Sequence, residues 1–178
     1  MMITALSNDV SKKRKFWQLF ANNNHCDFNY KQTPHGEVNI LKLLCHYKNI
    51  KISFKESDAK PLICGFEIGT DWEKTIEISQ ITMFDRLYAL FQKKHNTYTN
   101  PFLKKNKIKS NDTQVLNGLL KDNDLLNLLN SSEFFGLYAY TERDFLKVRI
   151  TSTYFVNSYE KLVDIYSITC KIIGHLKQ

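Results

Sequence analysis

The sequence predicts an α+β fold, a mainly antiparallel sheet with amphipathic helices packed on one face. Three observations indicate this class: segments in which apolar and polar residues alternate, segments with apolar residues at helical spacing, and the order of these segments along the chain. The 178 residues suit a single domain, 1–178, and a hydrophobic fraction of 43% is too high for a disordered chain.

The first elements are a helix and a strand region. A helix is predicted over about 7–20, and a loop that contains Pro34 follows it. Strand-like segments at 38–44 and 50–55 come next, and the second of them alternates strictly between apolar and polar residues. Two strands and one long bent strand both fit this region.

A hairpin followed by a helix is predicted next. The strands cover about 62–68 and 76–81, and Thr82 with Asp85 resembles a capping box that opens a helix ending near Lys94. The apolar stripe of this helix consists of Phe84, Leu87, Tyr88 and Phe91.

The middle of the chain is predicted to be a basic connection followed by a leucine-rich helical region. Residues 95–109 are predicted to form the connection, after which Asn111 and Gln114 resemble a capping pair. Polar residues at 122–124 interrupt the leucine pattern, so two short helices or one kinked helix fit equally.

The last third predicts a second hairpin and a terminal helix. The strands cover 134–140 and 145–155, and Asn157 with Glu160 is predicted to cap the helix. Because strand, strand and helix occur in this order at 62–94 and again at 134–176, the sequence is compatible with an internal duplication.

The four cysteines predict a reducing compartment. They are widely spaced and form no C-x-x-C pair, so Cys26, Cys45, Cys64 and Cys170 are expected to be free thiols. The sequence shows no secretory h-region and no apolar run near the ~20 residues that span a bilayer. A soluble, cytoplasmic protein is therefore expected.

Positive charge is concentrated in two stretches of a chain whose net charge is +7. The stretch 93–109 contains six lysines and no acidic residue, with aromatic residues between them. Lysine with aromatic rings is a pattern of single-stranded nucleic-acid binding. The candidate binding residues are Lys93, Lys94, Tyr98, Phe102, Lys104, Lys105, Lys107 and Lys109. A solvated loop is the favoured interpretation, with a protein or anionic-ligand surface and nucleic acid as alternatives.

The second basic stretch is the run at 12–15, which precedes Phe16 and Trp17. A basic amphipathic helix can contact anionic lipid. Since only about two helical turns are involved, docking of this helix on the sheet is the favoured interpretation.

No residue pattern predicts catalysis, a metal or a cofactor. Glu67, Asp71, Glu73 and Glu77 cluster near the first predicted hairpin, where solvated carboxylates are expected. The adjacent pairs His25–Cys26 and Cys45–His46 lack the spacing of zinc ligands, and no phosphate-binding or nucleophile motif occurs. Cys26, in a polar loop, is the candidate for a reactive thiol.

Four stretches in the second half of the chain carry a family resemblance. They are KNKIKSNDTQVLNGLL, DLLNLL, FLKVRI and YEKLVDIYSITCKIIGHL, within residues 102–176. Together they resemble the C-terminal part of a bacterial domain family of unknown function. Members of that family often carry membrane-spanning helices before this domain, and this sequence shows none. The resemblance implies a fold and no activity.

These observations predict a non-enzymatic bacterial accessory or protein-interaction domain that acts through the sheet or its long loops. An unidentified protein partner is expected, and the sequence does not indicate an oligomeric state. A single-stranded nucleic-acid-binding module that uses 93–109 is the first alternative. An enzyme whose site is assembled from dispersed residues is the second.

Overall fold

The computed structural model describes residues 2–34, 36, 38–71, 73–82, 84–85, 100–132 and 134–177, without the side chains of 2–9, 134 and 135. Five helices have both ends in these ranges: α1 (Met2–Asn23), α2 (Pro101–Lys105), α3 (Thr113–Lys121), α4 (Asn123–Ser131) and α5 (Tyr159–Leu176). The strands are β1 (Asp27–Gln32), β2 (Asn39–Tyr47), β3 (Ile50–Ser57), β4 (Lys60–Gly69), β5 (Thr75–Gln80), β6 (Asn106–Ser110), β7 (Phe134–Glu142) and β8 (Phe145–Ser152).

All eight strands belong to one antiparallel sheet. Their order is β1-β2-β3-β4-β8-β7-β5-β6, so the chain first forms a four-stranded meander and then places β8 beside β4. The remaining strands, β7, β5 and β6, extend the sheet from β8. The predicted α+β fold class is confirmed.

The sheet buries one of its two faces. Along β3, Ile50, Ile52, Phe54 and Glu56 are buried and the residues between them are exposed or half-buried. The same alternation occurs along β2, β4, β5 and β8. Since successive residues of a strand point to opposite faces, the buried residues form an inner face that the helices cover.

The helices pack on this inner face and against one another. α1 lies on β1 and β2 and contacts α5, and α5 also contacts α3 and α4. Trp17 and Phe20 of α1 are fully buried, and the ring of Phe20 meets that of Tyr166 edge to face at 5.5 Å. None of the described helices is both long and apolar enough to cross a membrane.

One predicted hairpin is confirmed, the two alternatives left open at 38–55 are resolved as two strands, and one strand was missed. β2 and β3 are separate paired strands, and β7 and β8 form the predicted second hairpin around Arg143, whose φ is 56°. β1 lies in the region predicted as a loop. Its Phe28 and Tyr30 alternate with polar residues and pack against the core, which stabilises an edge strand there.

The first predicted hairpin is wrong. β4 pairs with β3 and β8, whereas β5 pairs with β6 and β7, so two strands separate them. The β7–β8 hairpin occupies the place between them because it offers both strands a partner with a matching buried face. Residues 62–94 therefore lack the hairpin that a duplication of 134–176 would require.

The start of the helix predicted after this region is confirmed. Thr82 N–H donates to Asp85 Oδ2 at 2.8 Å, and Asp85 N–H donates back to Thr82 Oγ1 at 3.2 Å, which is a capping box. The rest of that predicted helix, together with residues 95–99 of the basic connection, lies outside the described residues. Past Pro101 the connection is not a loop, because α2 and β6 occupy it.

The structure shows which polar residue caps the N-terminus of each of three helices. Asp112 caps α3 by accepting from Gln114 N–H at 3.0 Å, so the predicted cap Asn111 is off by one residue. Asp122 accepts from Leu125 N–H at 2.8 Å, which starts a second short helix instead of a kink. Ser158, not Asn157, caps α5.

The prediction of four free thiols is wrong for one pair. Cys26 and Cys45 form a disulfide, whereas Cys64 and Cys170 are free. The antiparallel pairing of β1 with β2 sets Asp27 opposite Leu44 and so brings the two cysteines beside each other. Because this pairing depends on the strand that the sequence did not predict, cysteine spacing alone could not find the bond. The expected cytoplasmic location stays a prediction.

Candidate interaction surface

The face of the sheet opposite the helices is the candidate site, and we call it the outer face. It carries every second residue of each strand, and in β8 these are Phe145, Lys147, Arg149 and Thr151. In β7 they are Tyr138 and Tyr140, which lie opposite Arg149 and Lys147. The strand register therefore places aromatic and cationic side chains in neighbouring rows.

Three large aromatic side chains of the outer face are open to solvent, and we call them the aromatic patch. The exposed fractions are 56% for Tyr138, 40% for Tyr140 and 49% for Phe145. The centroids of the two tyrosine rings are 5.7 Å apart, since the residues follow each other on one side of β7. Exposed aromatic residues that cluster in this way mark contact surfaces more often than isolated ones do.

Charged side chains surround the aromatic patch. Lys147 pairs with Glu142, and this hydrogen bond raises the pKa of the Lys147 ammonium group. Arg149 lies between Gly65 and Tyr138, and no ion pair joins it to any residue in the described ranges. Its guanidinium group is therefore available to a carboxylate of a partner.

The half of the outer face on β2 and β3 is basic, and we call Lys42, Lys51 and Lys55 the lysine cluster. Lys42 and Lys55 are direct cross-strand partners, and Lys51 lies opposite His46. Like charges directly across a strand pair destabilise a sheet. Within the described part of the chain, none of the three ammonium groups has an ion-pair partner. An anionic partner would relieve this repulsion.

The residues predicted from the basic stretch are dispersed. Phe102 is buried in the core, so its ring is enclosed and not open to a base. Lys104 and Lys105 are exposed at the end of α2, Lys107 pairs with Asp85 at 2.9 Å, and Lys109 lies on β6.

In the sheet Lys109 is opposite Glu77, at the edge of the outer face. Lys93, Lys94 and Tyr98 lie outside the described residues.

The acidic residues near the first predicted hairpin are also separated. Glu67 is on β4 and Glu77 is on β5, with β8 and β7 between them. Asp71 and Glu73 are exposed. This arrangement does not bring a pair of carboxylates together.

The two free thiols, the buried Cys64 and the half-buried Cys170, are poor nucleophiles. Burial raises the pKa of Cys64 to about 12, and burial likewise raises the pKa of Cys170. A small cavity beside Cys64, lined also by Ser132 and Ile168, has a volume of about 10 Å³. That is about the space of one water molecule, too little for a substrate.

The aromatic patch was missed at the sequence level although a signal existed. In the strand predicted over 134–140, Tyr138 and Tyr140 alternate with Leu137 and Ala139. The alternation assigns the tyrosines to one face, but it does not say which face the helices cover.

No family model matches the chain, and no curated protein matches it. Among solved structures, the chain is similar to the crystal structure of the mycobacterial trehalose monomycolate transport factor A, TtfA. The TM-score is 0.47 and the sequence identity is 7%, over 91% of this chain and 94% of that chain. Similarity of this degree supports no conclusion about function.

Proposed function

We propose that this protein is a non-enzymatic interaction domain that binds an acidic surface of another protein through its outer face. The observation that carries the proposal is the aromatic patch together with the lysine cluster across β4, which has no ion-pair partner among the described residues, on a sheet face that the described helices leave open. Tyrosine and arginine are, with tryptophan, the residue types enriched at the energetic hot spots of protein interfaces.

The outer face has the dimensions of a standard interface. Eight strands at a spacing of about 4.8 Å span about 34 Å. Strands of five to ten residues add a length of about 17–34 Å. A typical stable complex buries about 800 Å² on each partner, which such a face can supply.

The charges around the aromatic patch favour a protein over a nucleic acid. Glu67, Glu77 and Glu142 lie on the outer face close to the tyrosines. These carboxylates would repel a phosphate backbone drawn across the rings, whereas a protein can place a cation or a hydrogen-bond donor beside each of them.

Single-stranded nucleic acid is the second candidate, because one observation favours it. Tyr138, Tyr140 and Arg149 form an exposed stacking platform, and Lys109 lies two strands away from Tyr138. Bases stack on such rings while lysines contact the phosphates.

Site-directed photo-crosslinking in the native host distinguishes these functions. A photoreactive phenylalanine analogue replaces Tyr138 in one variant and Asn117, an exposed residue of α3, in the matched control. We expect a protein adduct at position 138 that is absent at position 117 and is lost when Lys42 and Lys55 are changed to Glu. A nuclease-sensitive adduct would support the second candidate, and no adduct, or equal adducts at both positions, would contradict both.

A further inference from the structure

A groove separates α1 from the start of α5, and we call it the α1–α5 groove. Lys12, Lys15, Phe16 and Leu19 of α1 form one wall, and residues 157–160 form the other. The groove has a volume of about 400 Å³ and opens to solvent, so it is large enough for a ligand group to enter.

The side chains of α1 that form one wall of this groove lie along a side of the helix different from the side that carries Trp17 and Phe20. Lys12, Lys15, Phe16 and Leu19 follow the spacing i, i+3, i+4 and i+7, which places them along one side. Trp17 and Phe20, on another side, already attach the helix to the core. Of the four groove-facing residues, Phe16 is half-buried against the core, whereas Lys12, Lys15 and Leu19 are exposed.

Exposed apolar side chains occur in the groove wall and in the segment that precedes α5. Leu19 is 50% exposed, and just before the other wall Phe155 is 42% and Tyr154 is 59% exposed. Lys13 lies over the Phe155 ring at 5.1 Å from its centroid. Ser152 Oγ donates to the carbonyl oxygen of Tyr154 at 2.8 Å, which fixes this segment.

The walls of the groove carry two cations and one anion. Lys13 is engaged with Glu56, but in the described part of the chain neither Lys12 nor Lys15 has an ion-pair partner. Glu160 is an acid in the groove wall. Hydrogen bonds from its own backbone N–H and from Ser158 lower its pKa, so its carboxylate is ionised and offsets one of the two lysine charges, which leaves a net charge of +1 from these three side chains.

We propose that this surface binds anionic lipid at the surface of a bilayer. Lys12 and Lys15 contact the lipid phosphates, while Leu19, Tyr154 and Phe155 enter the interfacial layer. Lysine combined with exposed leucine, phenylalanine and tyrosine is the composition of surfaces that lie on anionic membranes.

The lipid-binding surface and the outer face are on different layers of the molecule. α1 belongs to the helix layer that covers the inner face of the sheet, so a membrane at the α1–α5 groove leaves the outer face accessible. The proposal goes beyond the interaction proposed for the outer face and does not depend on it.

Vesicle sedimentation tests the proposal with the full chain. We expect binding to vesicles of phosphatidylcholine mixed with phosphatidylglycerol, little binding to phosphatidylcholine alone, and weaker binding as salt rises. Each lysine at an anionic membrane contributes about five-fold to the partition coefficient, so Lys12→Ser with Lys15→Ser should lower it about 30-fold. Leu19→Ser should lower it without changing the salt dependence.

The matched control removes the same charge from the outer face. Lys42→Ser with Lys55→Ser should partition onto the mixed vesicles as the wild type does, and circular dichroism should show the same fold for every variant. Equal losses for the two lysine pairs would mean attraction to net charge alone and would overturn the proposal. So would equal binding to both vesicle types, or no binding to either.

Discussion

A buried ion pair that attaches α1 to the sheet gives the sharpest prediction about stability. Glu56 belongs to the inner face of β3 and is buried, and Lys13 pairs with its Oε1. The N–H of Val156 donates to Oε2 at 2.9 Å. One carboxylate therefore joins α1, β3 and the segment before α5.

The perturbation is Lys13→Met, which keeps most of the apolar stem and removes the ammonium group. Loss of one partner of a buried pair costs about 3–5 kcal/mol. Because the Lys13 side chain is 16% exposed, water screens part of the interaction and we expect about 3 kcal/mol at pH 7. For a domain of this size that corresponds to a fall in Tm of about 6–12 °C.

The pH dependence separates this ion pair from simple packing. Burial raises the pKa of Glu56 above its ordinary value of 4.5, so between the two values the folded state holds more protons than the unfolded state. The contribution of Glu56 to stability is therefore fully present below pH 4.5 and is lost as the pH rises through the folded pKa. Glu56→Gln should remove this part of the pH dependence.

Urea unfolding of the two single variants and the double variant measures the coupling. We expect Lys13→Met to lower the free energy of unfolding of the wild type by about 3 kcal/mol at pH 7. The loss should be less than about 1 kcal/mol below pH 4.5, or when Lys13→Met is introduced into the Glu56→Gln variant. A cost of Lys13→Met that is equal in both backgrounds and at both pH values would refute the assigned role of Glu56.

Two further predictions concern a glycine and the disulfide. In Gly118→Ala the new Cβ would lie 3.0 Å from Nδ1 of His175, whereas a Cβ added at Gly174 would have no atom within 4 Å. The free energy of unfolding of Gly118→Ala should therefore be about 1–2 kcal/mol lower than that of Gly174→Ala. Equal unfolding midpoints for the two variants would contradict this. Replacement of Cys26 and Cys45 by Ser should cost about 3 kcal/mol for a sequence separation of 19, and a wild type whose Tm does not respond to reductant would argue against the bond.

Local patterns predicted the elements whose partners are close in sequence. The β7–β8 hairpin and helix α5 follow from alternation and helical spacing that tertiary structure does not override. The pairing of β4 with β8 could not be predicted in the same way, because strand order depends on contacts between residues far apart in sequence.

The candidate site could not be predicted without the order and register of the strands. The lysine cluster forms only when β2 and β3 pair in the register that sets Lys42 opposite Lys55. Phe102 was assigned to a basic loop because its neighbours are lysines, but the hydrophobic effect places its ring in the core. Sequence composition could locate the basic segments, but it could not show which face of the sheet their side chains occupy.

The affinity of the protein captured by cross-linking tests the central claim most directly. Isothermal titration should show that Tyr138→Ala weakens binding by about 2 kcal/mol or more, as for an interface hot spot, while Lys12→Ser with Lys15→Ser binds like the wild type. Equal affinities for wild type and Tyr138→Ala, or a loss confined to the α1 variant, would contradict the assignment of the outer face as the interaction surface.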